Sequence, residues 1–245
     1  IKAQVVDKRI YSYSKATLGS YTDHIPNHYI RGYNLIAYGR KQYGSSLWRN
    51  AHTHAATRFL GIRPFSNSID NQTGYNKEQF YRKALNDLGT TWKEQDKWKK
   101  NLDFERIKTE EKKVWTNYTY PTYINDEGEL IAIKSGMSHV PTIVKITPDG
   151  KETELIKIPL LTTGNGIYTD GKTIVWAEEK PHVRWTEKAY SNIITYDILS
   201  ERRKTITRRT YYYSPCISPD GTKIAAVEVT SKNVYYIVII NKNNG

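Results

Sequence analysis

A chain of 245 residues with 38% hydrophobic residues can bury one large core or two smaller ones. It contains no apolar run near the ~20 residues that a membrane span requires, and its single cysteine, Cys216, excludes an internal disulfide. The formal net charge of +12 favours acidic partners, nucleic acid and anionic lipid headgroups among them. Basic runs at 97–100 and 202–204 sit beside acids such as Asp96, Asp103 and Glu201, which points to a solvated surface and away from nucleic acid.

Residues 1–22 carry little pattern. From Asn27 the apolar and small positions Tyr29, Gly32, Tyr33, Ile36, Ala37 and Tyr43 fall on one helical face, with Gly44 as the stop. Ser45 or Ser46 caps a second helix with a stripe of Leu47, Ala51, His54, Ala55 and Phe59. Residues 61–71, around Pro64, read as a loop. Asn76 and Gln79 have capping-box spacing. The helix that follows repeats Phe80, Tyr81, Ala84, Leu85 and Leu88 and is expected to end at Gly89, with Thr90 or Thr91 capping a last segment through Trp98. Residues 106–113 read as a linker or an early strand.

After Pro121 the period becomes two. Residues 142–146, 173–177, 192–197, 223–229 and 234–240 read as strands. A turn running into an apolar strand occurs three times, with its glycine at Gly128, Gly171 and Gly221. The intervals of 43 and 50 residues match blades of a β-propeller. Pro148-Asp149-Gly150 and Pro219-Asp220-Gly221 have the chemistry of tight turns, because Pro presets the bend, Asp bonds its own backbone and Gly supplies positive φ. Gly164-Asn165-Gly166 reads as a further turn between strands.

The expected fold class is therefore α+β and multidomain: an N-terminal helical subdomain (1–102), a linker or first strand (103–117), and about three blades of an incomplete antiparallel β-propeller (118–245). A closed ring needs at least four blades, so the last strand is expected to expose an edge. The chain begins at Ile1 without Met and ends directly after a strand, and so reads as a fragment.

The segment Ile217-Ser218-Pro219-Asp220-Gly221-Thr222-Lys223-Ile224-Ala225-Ala226 resembles the blade motif of TolB-type β-propellers. The second copy departs from it, with Tyr168-Thr169 in place of Ser-Pro. The helical half, through Ile25-Pro26-Asn27-His28-Tyr29-Ile30-Arg31-Gly32-Tyr33 and the later Tyr43-Gly44, Leu47-Trp48, Pro64-Phe65-Ser66 and Thr73-Gly74, resembles the last helical part of HExxH zinc metallopeptidase domains of the gluzincin type. That resemblance implies a bacterial envelope protein, periplasmic or outer-membrane-associated, whose parent uses zinc. No His-Glu-x-x-His is present in these residues, so no catalytic, metal or cofactor residue carries over.

Among chemistry-bearing groups, His52 and His54 point about 200° apart on a helix. His24 and His28 could share a face, but Pro26 lies between them, and zinc needs three or four converging ligands. His139 and His182, each near a proline, read as loop residues. Glu110-Glu111 and Glu178-Glu179 are adjacent pairs and read as solvated. Cys216 reads as a packed thiol. There is no nucleophile elbow, phosphate loop or dinucleotide fingerprint. Tyrosines cluster at 118, 120 and 123 and at 211–213. They either pack between blades or, with Arg208 and Arg209, line a surface for a peptide or protein. The candidate binding surface is thus Tyr211, Tyr213, Arg208 and Arg209. The rival functions are an interaction scaffold whose parent has no peptidase activity and a basic nucleic-acid binder.

Overall fold

The computed structural model describes residues 1–58, 61–99, 103–107, 113–158, 166–185 and 187–243. Among these, six helices and eleven strands in three antiparallel sheets make a mixed α+β chain. It divides into two compact units, Ile1–Phe104 and Glu105–Gly245.

The first unit is helical. Its unpatterned opening forms two short helices, α1 (Lys2–Val6) and α2 (Tyr13–Leu18), the second capped by Ser12 accepting the Lys15 N–H. Tertiary packing overrides the weak local pattern: Val5 and Ala16 are buried against Tyr81 and Leu85. The Asn27 side chain caps α3 (His28–Tyr43) at the Tyr29 N–H, and Gly44 ends it. The core side of α3 is Leu35, Tyr38, Gly39 and Tyr43. Tyr29, Tyr33, Ile36 and Ala37, expected on its apolar face, are exposed. On α4 (Ser46–Thr57) Leu47 and Ala51 are buried and His54 and Ala55 half-buried, while Phe59 lies outside the described residues.

Two further expectations are corrected. Residues 61–71 are largely helical, because Pro64 opens α5 (Pro64–Thr73) at a first-turn position where no N–H is needed, and Gly74 closes it. The capping box at Asn76 and Gln79 starts α6 (Lys77–Asp96), which runs straight through Gly89. That glycine serves packing: a Cβ there would lie 2.7 Å from Val5 Cγ1. Thr90 and Thr91 are not caps, since their hydroxyls donate back to the Asn86 and Asp87 carbonyls.

The second unit holds the sheets. The first comprises β1 (Thr116–Tyr123), β2 (Leu130–Gly136), β3 (His139–Ile146) and β4 (Glu152–Lys157). The second comprises β5 (Tyr168–Thr169), β6 (Thr173–Pro181), β7 (Ala189–Asp197) and β8 (Arg202–Thr205). The third comprises β9 (Tyr212–Ile217), β10 (Lys223–Val229) and β11 (Tyr235–Asn241). In each sheet the strands lie in chain order and every neighbouring pair is antiparallel.

Alternation along β6 and β7 buries both faces of the second sheet. Ile174, Trp176, Ile194 and Tyr196 pack with Ile131, Ile133 and Ile143 of the first sheet. Val175 and Ile193 pack with Ile217, Ile224 and Ala226 of the third. Among the described residues the Trp176 indole N–H is buried without a hydrogen-bond partner.

His139 belongs to β3 and is not in a loop. Cys216 is exposed, because Pro215 and Ile217 on either side take the inward positions of β9. Residues 108–112, with Glu110-Glu111, and residues 164–165 lie outside the described residues.

The turn glycines Gly128, Gly171 and Gly221 have φ of +84°, +90° and +70°, a region open mainly to glycine. Two of them also carry the contact to the preceding sheet. A Cβ on Gly171 would lie 2.7 Å from the Ile124 carbonyl oxygen, and one on Gly221 would collide with the Asp170 carboxylate. Asp220 accepts from the Thr222 N–H at 3.0 Å and from the Ser218 hydroxyl at 2.6 Å. Asp170 likewise accepts from the Lys172 and Thr173 N–H groups.

Gly171→Ala is expected to destabilise the strand unit by about 1–3 kcal/mol through positive φ and the lost approach to Ile124, read by urea unfolding. Hydrogen bonding from Ser218 holds Asp220 down at about 2, and Asp149 and Asp197 are also lowered, by Thr147 and Ser200 respectively. Depressed carboxylates stabilise the fold above the ordinary aspartate value near 4, and that contribution fades as pH falls toward 2. Ser218→Ala should therefore raise the Asp220 pKa in a carboxyl-detected NMR titration and move acid unfolding to higher pH.

Candidate functional site

A recess with a volume of about 1040 Å³ lies at one end of the second sheet. Its walls come from the ends of β6, β7 and β8, from the β6–β7 connection around Pro181-His182-Val183-Arg184, and from Arg208 and Arg209 between β8 and β9. Alternation sets the wall on β7: Tyr190, Asn192 and Ile194 share one face of the strand.

The β8–β9 connection is tied to β7 by threonines. The Thr207 hydroxyl accepts the Ile193 N–H at 2.9 Å and bonds the Thr210 hydroxyl at 2.9 Å. The Thr210 hydroxyl donates to the Ser191 carbonyl at 2.8 Å, and the Ser191 N–H donates to the Thr210 carbonyl at 2.9 Å. Arg208 and Arg209 stand exposed between these anchors, and Arg209 has left-handed backbone with φ of +58°. On the opposite wall His182 Nδ1 accepts the Arg184 and Trp185 N–H groups at 3.1 and 3.2 Å, which turns the chain there.

The recess is cationic. Lys180, Arg184, Arg203, Arg208 and Arg209 face Glu178 and Glu179. Glu178, expected to be solvated, is instead clamped: Arg203 Nη2 donates to both its oxygens, at 3.1 and 3.0 Å. Among the described residues Lys180, Arg184, Arg208 and Arg209 make no salt bridge, and Glu179 is the one further carboxylate of the lining. Asn192 is 6% exposed. Its Oδ1 accepts the Thr210 N–H at 3.4 Å, and its amide nitrogen has no acceptor among the described residues.

An aromatic run borders the recess. His182 and Tyr190 have ring centroids 5.6 Å apart, and Tyr190 and Tyr211 5.8 Å. Of the residues singled out from sequence, Arg208 and Arg209 line the recess and Tyr211 touches its wall through Tyr190. Tyr213 lies on the third sheet outside the lining, and burial, followed by the charge of Glu179, pushes its hydroxyl pKa up. Sequence reading missed Lys180, His182, Arg184, Tyr190, Asn192 and Arg203. The signal for part of them is the cation-rich Lys180-Pro181-His182-Val183-Arg184 between two strands.

A second polar group sits on the first sheet. Tyr118 donates to Glu152, which also holds Lys134 at 2.5 Å, with both charged side chains nearly buried. Burial and the neighbouring carboxylate push the Tyr118 hydroxyl up. Tyr123 is exposed, and Tyr120 stacks over Gly166. No three His, Cys, Asp or Glu side chains converge as a metal site among the described residues. His28 packs on Tyr29 and His52 on Phe65. These residues do not fit a zinc centre, and no chemical step is assigned to one. No helix among the described residues is long and apolar enough to cross a membrane.

No protein-family model and no curated protein matches the chain. Among solved structures it is similar to TolB from Acinetobacter baumannii, with 22% identity and a TM-score of 0.41 over 51% of this chain and 30% of that one. It is similar to an oligogalacturonate lyase from Vibrio parahaemolyticus, with 12% identity and a TM-score of 0.41 over 51% and 36%. It is also similar to a putative TolB from Agrobacterium tumefaciens, with 17% identity and a TM-score of 0.37 over 49% and 41%. The chain thus spans less than half the length of each.

Thr207→Val is expected to leave the Ile193 N–H without its acceptor at a cost of about 1–3 kcal/mol. Hydrogen exchange should then speed up at Ile193 and along 207–210 before it does so in β6.

Proposed function

We propose that the strand unit is a run of propeller-like blades whose work is binding, and that the recess on the second sheet takes an acidic segment of a peptide or protein partner. The observation that carries this reading is the pairing of four cations, none in a salt bridge among the described residues, with the Asn192 amide beside them in the lining. Placed carboxylates would satisfy both, through charge-assisted hydrogen bonds from the arginines and a neutral one from the amide. The His182–Tyr190–Tyr211 run supplies ring surface for the flanking residues. A volume of about 1040 Å³ is at the upper end for small-molecule pockets and gives room for several side chains.

The blade reading rests on three successive antiparallel meanders and on the repeated glycine contact between neighbouring sheets. It assigns the unit no catalysis. The zinc-using parent and the envelope location come from the family resemblance, and the recess does not depend on either. Nucleic acid is the weaker ligand, because Glu179 stands in the wall and the cations form a pocket with no track for a phosphate backbone.

The test is fluorescence anisotropy with a short Asp/Glu-rich peptide carrying aromatic residues, against its Lys/Arg-rich counterpart. The acidic peptide should bind, more weakly as salt rises. Arg208→Ala and Arg209→Ala should each lower affinity about tenfold. Asn192→Asp keeps the acceptor for Thr210 and should weaken the acidic peptide by a larger factor. Preference for the basic peptide, or tighter binding of a single-stranded oligonucleotide, overturns the proposal.

A further inference from the structure

Between Asp23 and Asp70 the chain contains no Asp or Glu, yet it holds Arg31, Arg40, Lys41, Arg49, Arg58 and Arg63 and four of its six histidines. The stretch includes α3, which is apolar on two sides. One side packs through Leu35 and Tyr38, joined at the last turn by Tyr43, which helical spacing puts in line with Ile36. The opposite side presents Tyr29, Tyr33, Ile36 and Arg40 at i, i+4, i+7 and i+11, flanked by Ile30, Ala37 and Lys41. Tyr29 is 75% exposed, Tyr33 73%, Ile30 55% and Ile36 48%.

We infer that this outer side of α3 is a docking face for an anionic phospholipid surface, independent of the recess on the second sheet. Apolar area and positive charge lie on the same face, the two signals that together hold a helix in a membrane interface. Tyrosine suits that depth, with its ring among acyl chains and its hydroxyl among headgroups. Ile30, Ile36 and Ala37 offer nothing for a nucleobase to stack on, which disfavours nucleic acid.

The face is a single convex helix. A fluid bilayer conforms to that shape, whereas a protein partner would have to bring a matching groove. Charge complementarity extends beyond α3, since neither α3 nor α4 contains a carboxylate. The acid just before α3, Asp23, is held by Lys15 at 2.5 Å. Arg40 and Lys41 are exposed at the C-terminal end of the face, where their long stems can keep the charge at headgroup level.

The test is co-sedimentation of the full chain with vesicles of phosphatidylcholine alone or mixed with phosphatidylglycerol. Binding is expected with the mixed vesicles and should weaken with salt. Arg40→Gln and Lys41→Gln should each lower the partition coefficient about fivefold. Tyr33→Ser and Ile36→Ser, which leave the charge unchanged, should lower it too, while circular dichroism stays that of the parent. The Arg208→Ala, Arg209→Ala double variant should bind vesicles like the parent. Three results overturn the inference: no binding to the mixed vesicles, equal binding to both kinds, or loss of binding in the double variant but not in the α3 variants.

Discussion

The strand unit depends on how closely one sheet can approach the next. The second sheet is apolar on both faces along the first part of β6 and the facing part of β7, so neither face can be left in water there, and each meets a neighbouring sheet. A side chain at the turn would hold the sheets apart. At Gly171 the missing Cβ lets the turn reach the Ile124 carbonyl, and at Gly221 it admits the Asp170 carboxylate. Positive φ and the missing Cβ are thus used at the same residue, once for the bend and once for the stacking. Asp170 shows the coupling: one carboxylate oxygen closes its own turn at Lys172 and Thr173, and the other meets the glycine of the following turn.

That constraint also places the recess. Trp176 and Ile194 are fully engaged between the first and second sheets. Further along β6 and β7 the same strand faces carry Glu178, Lys180, Asn192 and Tyr190, where the lining turns from apolar to charged. The recess is therefore the continuation of the inter-sheet core into polar residues. The threonine ties at 207 and 210 matter because they fix two arginines on a connection that would otherwise fray. A binding surface built on such ties loses less conformational freedom when a ligand arrives.

Much of the strand architecture was legible because burial on alternating faces leaves period-two patterns, and because Asp-Gly turns have a mechanism that shows in sequence. The capping box at Asn76 was legible for the same local reason. What was missed follows from non-local physics. Gly89 reads as a stop from its neighbours, yet Val5, distant in sequence, decides its role. Pro64 reads as a loop marker when it is a helix opener. Short α1 and α2 exist through packing on α6 and have no pattern of their own. Arg208 and Arg209 could be found as a charge pair, whereas Asn192 looks like an ordinary strand residue until its neighbours are known.

The faces left uncovered divide by chemistry. On β11 the outward Tyr235, Ile237 and Ile239 are exposed, and Val227 and Ala225 lie opposite the two isoleucines in register. Register adds Lys223 to that face, opposite Asn241 at the end of the strands, and leaves its centre apolar. The outer side of α3 mixes its apolar positions with Arg40 and Lys41, so its complement must be apolar and negatively charged together. Two exposed surfaces of similar hydrophobicity are thus told apart by where charge falls in their period, two residues along the strand and three or four along the helix.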